Sequence, residues 1–183
     1  MTDLFEDVAL PWLWPEEGGF VRDQGGDTNL GVTQAALDRF HANHPDRRDV
    51  PTNVRDLTRM TASPVYELDY WNVVNAGLLP APWGLVAFDT AVNSGDREAG
   101  VLLQGAVGFT DPADLDGVIG PKTVAAAQGA TERQLEDYLW LRLDYDRAVA
   151  TRQGEVGLHS LPVWAGRVFR LRRVALSQLA PGT

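Results

Sequence analysis

Glu17 is the residue whose local sequence best suits catalysis. Two glycines follow it, and Trp12, Trp14 and Phe20 lie within five residues. A general acid for a glycosidic bond must stay protonated near neutral pH, which requires an apolar surround, and small neighbours let a bulky polymer approach. The alternative is that Glu16 and Glu17 are surface residues at the end of a helix. The local sequence leaves both interpretations open.

The loop that follows Glu17 contains further polar side chains. Cleavage of a sugar polymer usually needs a second polar group across the scissile bond, and carboxyl separations of about 5 to 5.5 Å or about 6.5 to 9.5 Å distinguish retention from inversion. Asp23 and Asp27 can fold back across a cleft, and Thr28 and Thr33 can hold the attacking water. These residue types are also common in turns and helix caps, so an ordinary structural role is the alternative for each.

Other kinds of site have little support in the sequence. His41 and His44 lie three residues apart on a predicted helix, but no third metal ligand is evident. Residues 111–117 alternate carboxylates yet lack a complete calcium-binding loop, so we predict a turn there. The serines lack the surroundings of a catalytic triad, and no glycine loop has the phosphate-binding ending. We therefore expect neither a metal nor an organic cofactor.

The composition predicts a single domain over residues 1–183. A chain of 183 residues with 44% hydrophobic side chains can bury one sizeable core. No apolar run approaches the roughly 20 residues of a transmembrane helix, and the acidic start is unlike a secretion signal. We therefore expect synthesis in the cytoplasm, with no transmembrane segment and no signal peptide. The absence of cysteine excludes disulfides, thiolate nucleophiles and cysteine-bound metals.

The charge distribution bears on possible partners. A net charge of -9 argues against nucleic acid, because that affinity depends on clustered cations. After Glu155 the charged side chains are all basic: Arg167, Arg170, Arg172 and Arg173. We interpret this stretch as a solvated helix face, and attraction to an anionic polymer or membrane surface is the alternative.

The apolar spacing and the capping residues predict a mainly α-helical fold. A first helix over residues 3–17 contains Pro11 and Pro15 and should kink or stop early, just ahead of Glu16. Residues 18–31 hold five glycines and predict an irregular loop or a small hairpin. Thr33, Thr61 and Asp96 are predicted to cap later helices, and Pro82 and Pro121 to be first helical residues. Thr131 and Gln134 predict a capping box before a long helix, and a last amphipathic helix is predicted over 161–179.

Five strings occur together in an order and spacing typical of one family: EGGF at 17–20, TNLGVT at 28–33, YW at 70–71, FDTAVNSG at 88–95 and DGVIGPKT at 116–123. They resemble the glycoside hydrolase family 108 N-acetylmuramidases, lysozyme-like enzymes of the phage endolysin or secretion-activator type. The resemblance covers nearly the whole chain and implies a lysozyme-like helical domain. Residues from about 101 to 183 include a region similar to that family's peptidoglycan-binding segment, which we keep in the same domain.

The resemblance implies a peptidoglycan hydrolase that cleaves the β-1,4 bond between N-acetylmuramic acid and N-acetylglucosamine. Glu17 matches the family's catalytic glutamate, the expected proton donor, and Asp23 and Thr33 are the next catalytic candidates. Residues of the motifs and of the loop are expected to bind substrate: Asp27, Thr28, Asn29, Tyr70, Trp71, Asp89 and Asn93. Trp71 and Asp89 equally suit a packed aromatic side chain and a buried helix-capping partner.

The implied partner is bacterial peptidoglycan, reached after release through a holin or by a secretion system, and the expected form is a monomer without a cofactor. The sequence departs from the family at Glu16, where histidine is common, and in a shorter DQGG loop at 23–26. Two alternatives stay open: a non-catalytic peptidoglycan-binding module on the same fold, and a lytic transglycosylase, whose product is one water lighter per cleavage.

Overall fold

The computed structural model describes residues 3–23 and 26–179, and of Asp23 only the backbone. The chain forms two compact units, residues 1–73 and 74–183. The architecture is mainly helical, with a small antiparallel sheet after the first helix, which confirms the predicted fold class. That residues 1–183 make one lysozyme-like domain stays a prediction.

The first unit begins with a helix that ends at the proposed acid. A π-helical turn over Phe5–Ala9 continues into α1, Leu10–Glu16. Pro11 follows the π-helical turn directly and Pro15 lies inside α1, so this helical run lacks a backbone N–H donor at both positions. The backbone becomes extended at Glu17, whose N–H donates to Leu13 O at 3.0 Å. The early stop is therefore seen, after one more helical residue than the prolines predict.

The glycine-rich stretch folds into three short antiparallel strands: β1 (Val21–Asp23), β2 (Gly26–Asn29) and β3 (Val32–Thr33). Arg22 lies opposite Asp27, and Thr28 lies opposite Thr33. Leu30 and Gly31 join β2 to β3, and both have positive φ, as a type I′ turn requires. The predicted loop or hairpin is thus a hairpin extended by a third strand.

Two α-helices complete the first unit: α2 (Gln34–Asn43) and α3 (Arg59–Tyr66). Thr33 caps α2 as predicted, since its hydroxyl accepts from Ala36 N at 3.1 Å. The predicted start at Thr61 is wrong. Thr58 is the N-cap of α3, and Thr61 is the third helical residue, whose hydroxyl oxygen accepts from the Thr58 N–H at 2.9 Å. A π-helical segment over Glu67–Trp71 follows α3.

The second unit contains five α-helices within the described residues: α4 (Ala81–Ser94), α5 (Asp96–Ala106), α6 (Pro121–Gln128), α7 (Glu132–Gln153) and α8 (Glu155–Ser177). The start at Pro121 and the cap at Thr131 are confirmed, and Thr131 forms the predicted capping box with Gln134. Helix α4 begins one residue earlier than predicted, because Pro82 is its second residue. Asp96 is the first residue of α5 and not its cap, because Gly95 occupies the N-cap position.

Helix α4 lies at the centre of the second unit, since every residue from Pro82 to Ala91 is buried. Helices α7 and α8 pack against each other and are joined at Gly154, whose φ of 67° favours glycine. The loop before α6 is held by the buried Gln104 side chain, which donates to Asp116 Oδ1 at 2.7 Å and accepts from Gly117 N at 2.9 Å.

The described part of the chain contains neither a candidate metal-ligand cluster nor a candidate membrane-spanning helix. No group of three or more metal-ligating His, Asp or Glu side chains occurs there. Among the helices of the same residues, none combines the length and hydropathy that crossing a bilayer requires.

Candidate active site

The Glu17 carboxylate lies against the turn between β2 and β3. Glu17 is half-buried at the end of α1. A Cβ added to Gly31 would collide with Glu17 Oε2 and would lie 2.8 Å from the carboxyl carbon. The missing side chain at Gly31 therefore leaves the space that the carboxylate occupies. This placement is unlike that of a surface residue pointing into solvent, and the catalytic role of Glu17 stays a prediction.

Tyr66 is the residue beside Glu17 that sequence reasoning missed. Its hydroxyl donates to Leu30 O at 2.6 Å and would lie 2.5 Å from the same added Cβ on Gly31. The Tyr66 ring is edge-on to Trp14, with centroids 5.6 Å apart. This hydrogen bond of Tyr66 thus connects α3 to the turn beside Glu17. In the sequence, Tyr66 is marked only as a tyrosine four residues before the YW motif.

The apolar surround expected around Glu17 is built partly from the predicted residues. Trp12 is buried and Trp14 half-buried, but Phe20 is 47% exposed and stacks with the Arg55 guanidinium, 5.1 Å from the ring centroid. Tyr70 packs 5.7 Å from Tyr66 between ring centroids. Burial, followed by the charge of Asp69, raises the pKa of Tyr70, and the Glu17 charge adds in the same direction. Glu17 and Tyr70 are therefore in electrostatic reach of each other.

Asp27 is held by two arginines. Its carboxylate accepts from Arg22 Nε at 2.5 Å and Nη2 at 3.0 Å, and from Arg55 Nε at 2.7 Å. These hydrogen bonds from Arg22 and Arg55 lower the pKa of Asp27 to about 2. Asp27 is thus an ionised side chain at ordinary pH and is not suited to donate a proton.

Asn29 has a structural role in the first unit. Its side-chain amide is buried and donates to Val54 O at 3.0 Å and to Leu57 O at 3.1 Å. Both donors are therefore occupied, and Asn29 fastens the sheet to the 3₁₀ turn over Val54–Asp56. The turn carries Arg55, so Asn29 also positions the second partner of Asp27.

Asp23, Thr28 and Thr33 each lie in a different strand of the small sheet. Thr33 is exposed and its hydroxyl caps α2, while Thr28 is half-buried on β2. The backbone of Asp23 pairs with Gly26 at the end of β1, and its side chain lies outside the described residues. The catalytic roles of Asp23 and Thr33 stay predictions.

The YW motif and the two histidines lie around α3 and its π-helical extension. Trp71 is buried and packs on Phe5 with centroids 5.3 Å apart, the packed-aromatic role considered for it. His44 Nε2 lies 2.8 Å from Asp69 Oδ1, and His41 Nε2 lies 3.2 Å from Pro51 O. The two histidines thus have separate hydrogen-bond partners.

Two predicted substrate-binding residues lie in the second unit. Asp89 is fully buried on α4, and its Oδ1 accepts from Arg167 Nε on α8 at 2.9 Å. Asn93 donates to the Asp89 backbone oxygen at 2.8 Å. Asp89 is therefore an ion-pair partner and not the helix-capping partner considered as its alternative. The basic stretch on α8 is not a uniformly solvated face either, because Arg167 is largely buried and Arg172 pairs with Glu136.

A half-buried glutamate at the end of the first helix, covered by a turn of a small sheet and flanked by tyrosines, is an arrangement suited to acid catalysis. Residues 10–95 match the family model described as Glycosyl hydrolase 108. The solved structure of Brucella abortus SagA is 34% identical, with a TM-score of 0.75, and the match covers 94% of each chain. No curated protein matches significantly. The chain belongs to glycosyl hydrolase family 108, a family of glycosidases.

Proposed function

We propose that the protein is an N-acetylmuramidase that hydrolyses the β-1,4 bond between N-acetylmuramic acid and N-acetylglucosamine in bacterial peptidoglycan, with Glu17 as the general acid. The observation that carries the proposal is the placement of the Glu17 carboxylate beneath Gly31 and beside Tyr66. Membership of family 108 supports a glycosidic bond as the target.

In the proposed reaction the Glu17 carboxyl gives its proton to the leaving glycosidic oxygen as the bond to the anomeric carbon breaks. A water held by Thr33 bonds through its oxygen to that carbon and loses a proton to a base, for which Asp23 is the candidate. General acid catalysis of this kind contributes roughly 10²- to 10⁴-fold to the rate. Asp27 stays ionised next to Arg22 and Arg55 and does not take part in proton transfer.

The proposal is tested by digesting purified peptidoglycan with wild-type protein and Glu17→Gln. Glu16→Gln is the matched control, because it removes the neighbouring carboxylate while keeping Glu17. We expect Glu17→Gln to lose at least about 10²-fold in rate and Glu16→Gln to retain most of it. Soluble products are examined by reducing-end labelling and mass spectrometry.

The products decide between the proposal and its alternatives. Hydrated muramic acid reducing ends, absent with Glu17→Gln, support a muramidase. Products one water lighter per cleavage would identify a lytic transglycosylase instead. Folded wild-type protein that sediments with cell walls but releases nothing from several wall types would identify a binding module. Undiminished hydrolysis by Glu17→Gln would remove Glu17 from the mechanism.

We also propose that the protein acts on the cell wall as a monomer after release through a holin or a secretion system, as a phage-type endolysin does. Expression in a bacterial host with and without a co-expressed holin tests this setting. Lysis that depends on both the holin and Glu17 supports it, and holin-independent lysis contradicts that route.

A further inference from the structure

Two exposed arginines meet at one aspartate on the small sheet of the first unit. We call Arg22, Asp27 and Arg55 the arginine cluster. A single oxygen, Asp27 Oδ2, accepts from Arg22 Nη2 at 3.0 Å and from Arg55 Nε at 2.7 Å. The Arg22 and Arg55 side chains are 65% and 45% exposed, whereas that of Asp27 is 19% exposed. The two guanidinium groups therefore lie side by side at the surface, and the carboxylate that joins them is mostly covered.

The arginine cluster carries an excess of positive charge. Asp27 is ionised, because the hydrogen bonds from Arg22 and Arg55 lower its pKa to about 2, and a guanidinium stays protonated in proteins. Within the described residues, the neighbouring Asp56 forms no ion pair with either arginine. Two cations thus share one anion, on a chain whose net charge is -9. The cluster is therefore suited to a second anion.

Both guanidinium groups retain N–H donors that solvent can reach. A guanidinium group has five N–H donors in a planar fork, which matches the two oxygens of a carboxylate. Arg22 donates to Asp27 through Nε and Nη2, and Arg55 donates through Nε. The described residues supply no further side-chain partner for these two arginines. The remaining donors are therefore available to a ligand, and they lie on exposed side chains.

Arg55 is held in place before any ligand arrives. Its guanidinium lies 5.1 Å from the centroid of the Phe20 ring, a cation–π contact, and it also donates to Asp27. The 3₁₀ turn that carries Arg55 is fastened to β2 by the buried Asn29 amide. A side chain ordered in this way loses less conformational entropy on binding than a free surface arginine does.

The arginine cluster lies near the proposed acid along the chain. Arg22 follows Glu17 by five residues, and Asp27 precedes Gly31, which lies against the Glu17 carboxylate, by four. Four residues of extended chain span at most about 14 Å. A polymer of sugar rings bound at Glu17 can therefore extend to the cluster.

We propose that Arg22 and Arg55 together bind a carboxylate of the muramyl branch of the wall polymer, through the N–H groups that Asp27 does not use. This inference rests on the proposed function. N-acetylmuramic acid has a lactyl group whose carboxylate is free on a bare glycan strand and is joined to a stem peptide on an intact one. The lactyl carboxylate and the carboxylates of the stem peptide share this chemistry. Asp27 keeps the two guanidinium groups together and does not itself contact the ligand.

The first test follows the Nε–H signals of Arg22 and Arg55 by NMR, assigned from Arg22→Lys and Arg55→Lys. Wild-type protein is titrated with N-acetylglucosamine, N-acetylmuramic acid and N-acetylmuramyl-L-alanyl-D-isoglutamine. The first probe is neutral, the second has a free lactyl carboxylate and the third has a carboxylate only on its peptide. The Nε–H of Arg48, another exposed arginine of the first unit, reports non-specific contact with anions.

Saturable shifts of Arg22 and Arg55 with either acid, and none with N-acetylglucosamine, support the proposal. The acid that binds more tightly identifies the source as the lactyl group or the stem peptide. Equal shifts with the neutral sugar, equal shifts at Arg48, or no shift with any probe would overturn it. None of the probes contains a bond between two sugars, so the result does not depend on hydrolysis by Glu17. Failure of this proposal and failure of the proposed function are therefore distinguishable.

The second test removes the excess charge. Arg55→Gln leaves Asp27 paired with Arg22 through two hydrogen bonds, so the cluster becomes neutral while its carboxylate keeps a partner. Arg48→Gln is the matched control, because it makes the same change of charge elsewhere in the unit. We expect Arg55→Gln to weaken binding of the preferred acid about three- to tenfold and the control to leave it unchanged.

Adding Asp27→Asn to Arg55→Gln returns one positive charge to the cluster, carried by Arg22, and should recover binding. Undiminished affinity in folded Arg55→Gln, or a loss that Asp27→Asn does not recover, contradicts the proposal. If circular dichroism shows that Arg55→Gln is unfolded, Arg22→Gln makes the same change of charge at the more exposed arginine. The same loss of affinity is expected there, and undiminished binding would again contradict the proposal.

Discussion

Gly31→Ala tests whether the turn between β2 and β3 sets the position of Glu17. The change adds a single methyl group, which is unfavourable for two reasons, backbone strain and steric overlap. Gly31 has φ of 75°, a left-handed conformation that is costly for alanine, and the added Cβ meets the Glu17 carboxylate and Tyr66 hydroxyl. Both effects lie at the proposed acid, so the change acts on stability and on activity.

The magnitude follows from the geometry at Gly31. The left-handed backbone contributes about 1–2 kcal/mol of strain, and overpacking adds about 1–3 kcal/mol. To reach an ordinary contact of 3.4 Å from the present 2.5 Å, the Tyr66 hydroxyl must move about 0.9 Å, and the Glu17 carboxyl must move as well. A misplacement of about 1 Å at a catalytic group lowers the rate by about 10²-fold.

Gly26→Ala is the matched control for backbone strain. Gly26 lies in the same sheet with φ of 109°, but a Cβ built there meets nothing within 4 Å. We expect both variants to lose free energy of unfolding in urea, Gly31→Ala by about 1–3 kcal/mol more. Only Gly31→Ala should lose peptidoglycan hydrolysis per folded molecule, by about 10²-fold. Equal activity of the two folded variants would refute the argument that the turn positions Glu17.

Three further predictions concern polar contacts of the two units. Asn29→Ala leaves two buried carbonyls without their donor and should lower the free energy of unfolding by about 2–3 kcal/mol, and a loss below about 1 kcal/mol would argue against the anchoring role. The pKa of the Asp27 carboxyl, measured by NMR, should be about 2 and should move towards 3.8 in Arg55→Ala. Because the pKa of Asp27 is lower in the folded protein than in the unfolded chain, its ion pairs stabilise the fold above pH 3.8. That contribution to stability disappears as the pH falls through 2. Asp89→Ala breaks a buried ion pair and leaves Arg167 behind, so urea unfolding should show a loss of about 3–5 kcal/mol; a value close to that of an exposed pair would show that the buried charge is compensated elsewhere.

The helices were predictable where their signals are local. Thr33, Pro82 and Pro121 each mark a helix start through a cap or a fixed φ, which act within one turn of the chain. The prediction that the helix starts at Thr61 was wrong because two threonines, three residues apart, both suit the N-cap position. The capping box forms only when Thr58 is the N-cap and Thr61 is the third helical residue. The π-helical segments had no signal that the apolar spacing could reveal.

The candidate site was predictable only in its motif residues. Glu17 was identified from its neighbours in the sequence and from the resemblance, whereas Tyr66 reaches the same place through α3, 36 residues beyond the carbonyl it contacts. The partners of Asp89 could not be inferred either, because Arg167 lies 78 residues later on another helix. Pairings over such distances are set by packing, which local patterns do not encode.

The hairpin of α7 and α8 has a consequence for the order of folding. The helices are 22 and 23 residues long, about 33–35 Å each, and Gly154 alone separates them. Their contacts close short loops near Gly154 and extend outward from there, so each new contact costs little additional chain entropy. The ion pair between Asp89 and Arg167, in contrast, must close a much longer loop. The last third of the chain is therefore expected to acquire structure early and to present α8 as a surface on which α4 docks afterwards.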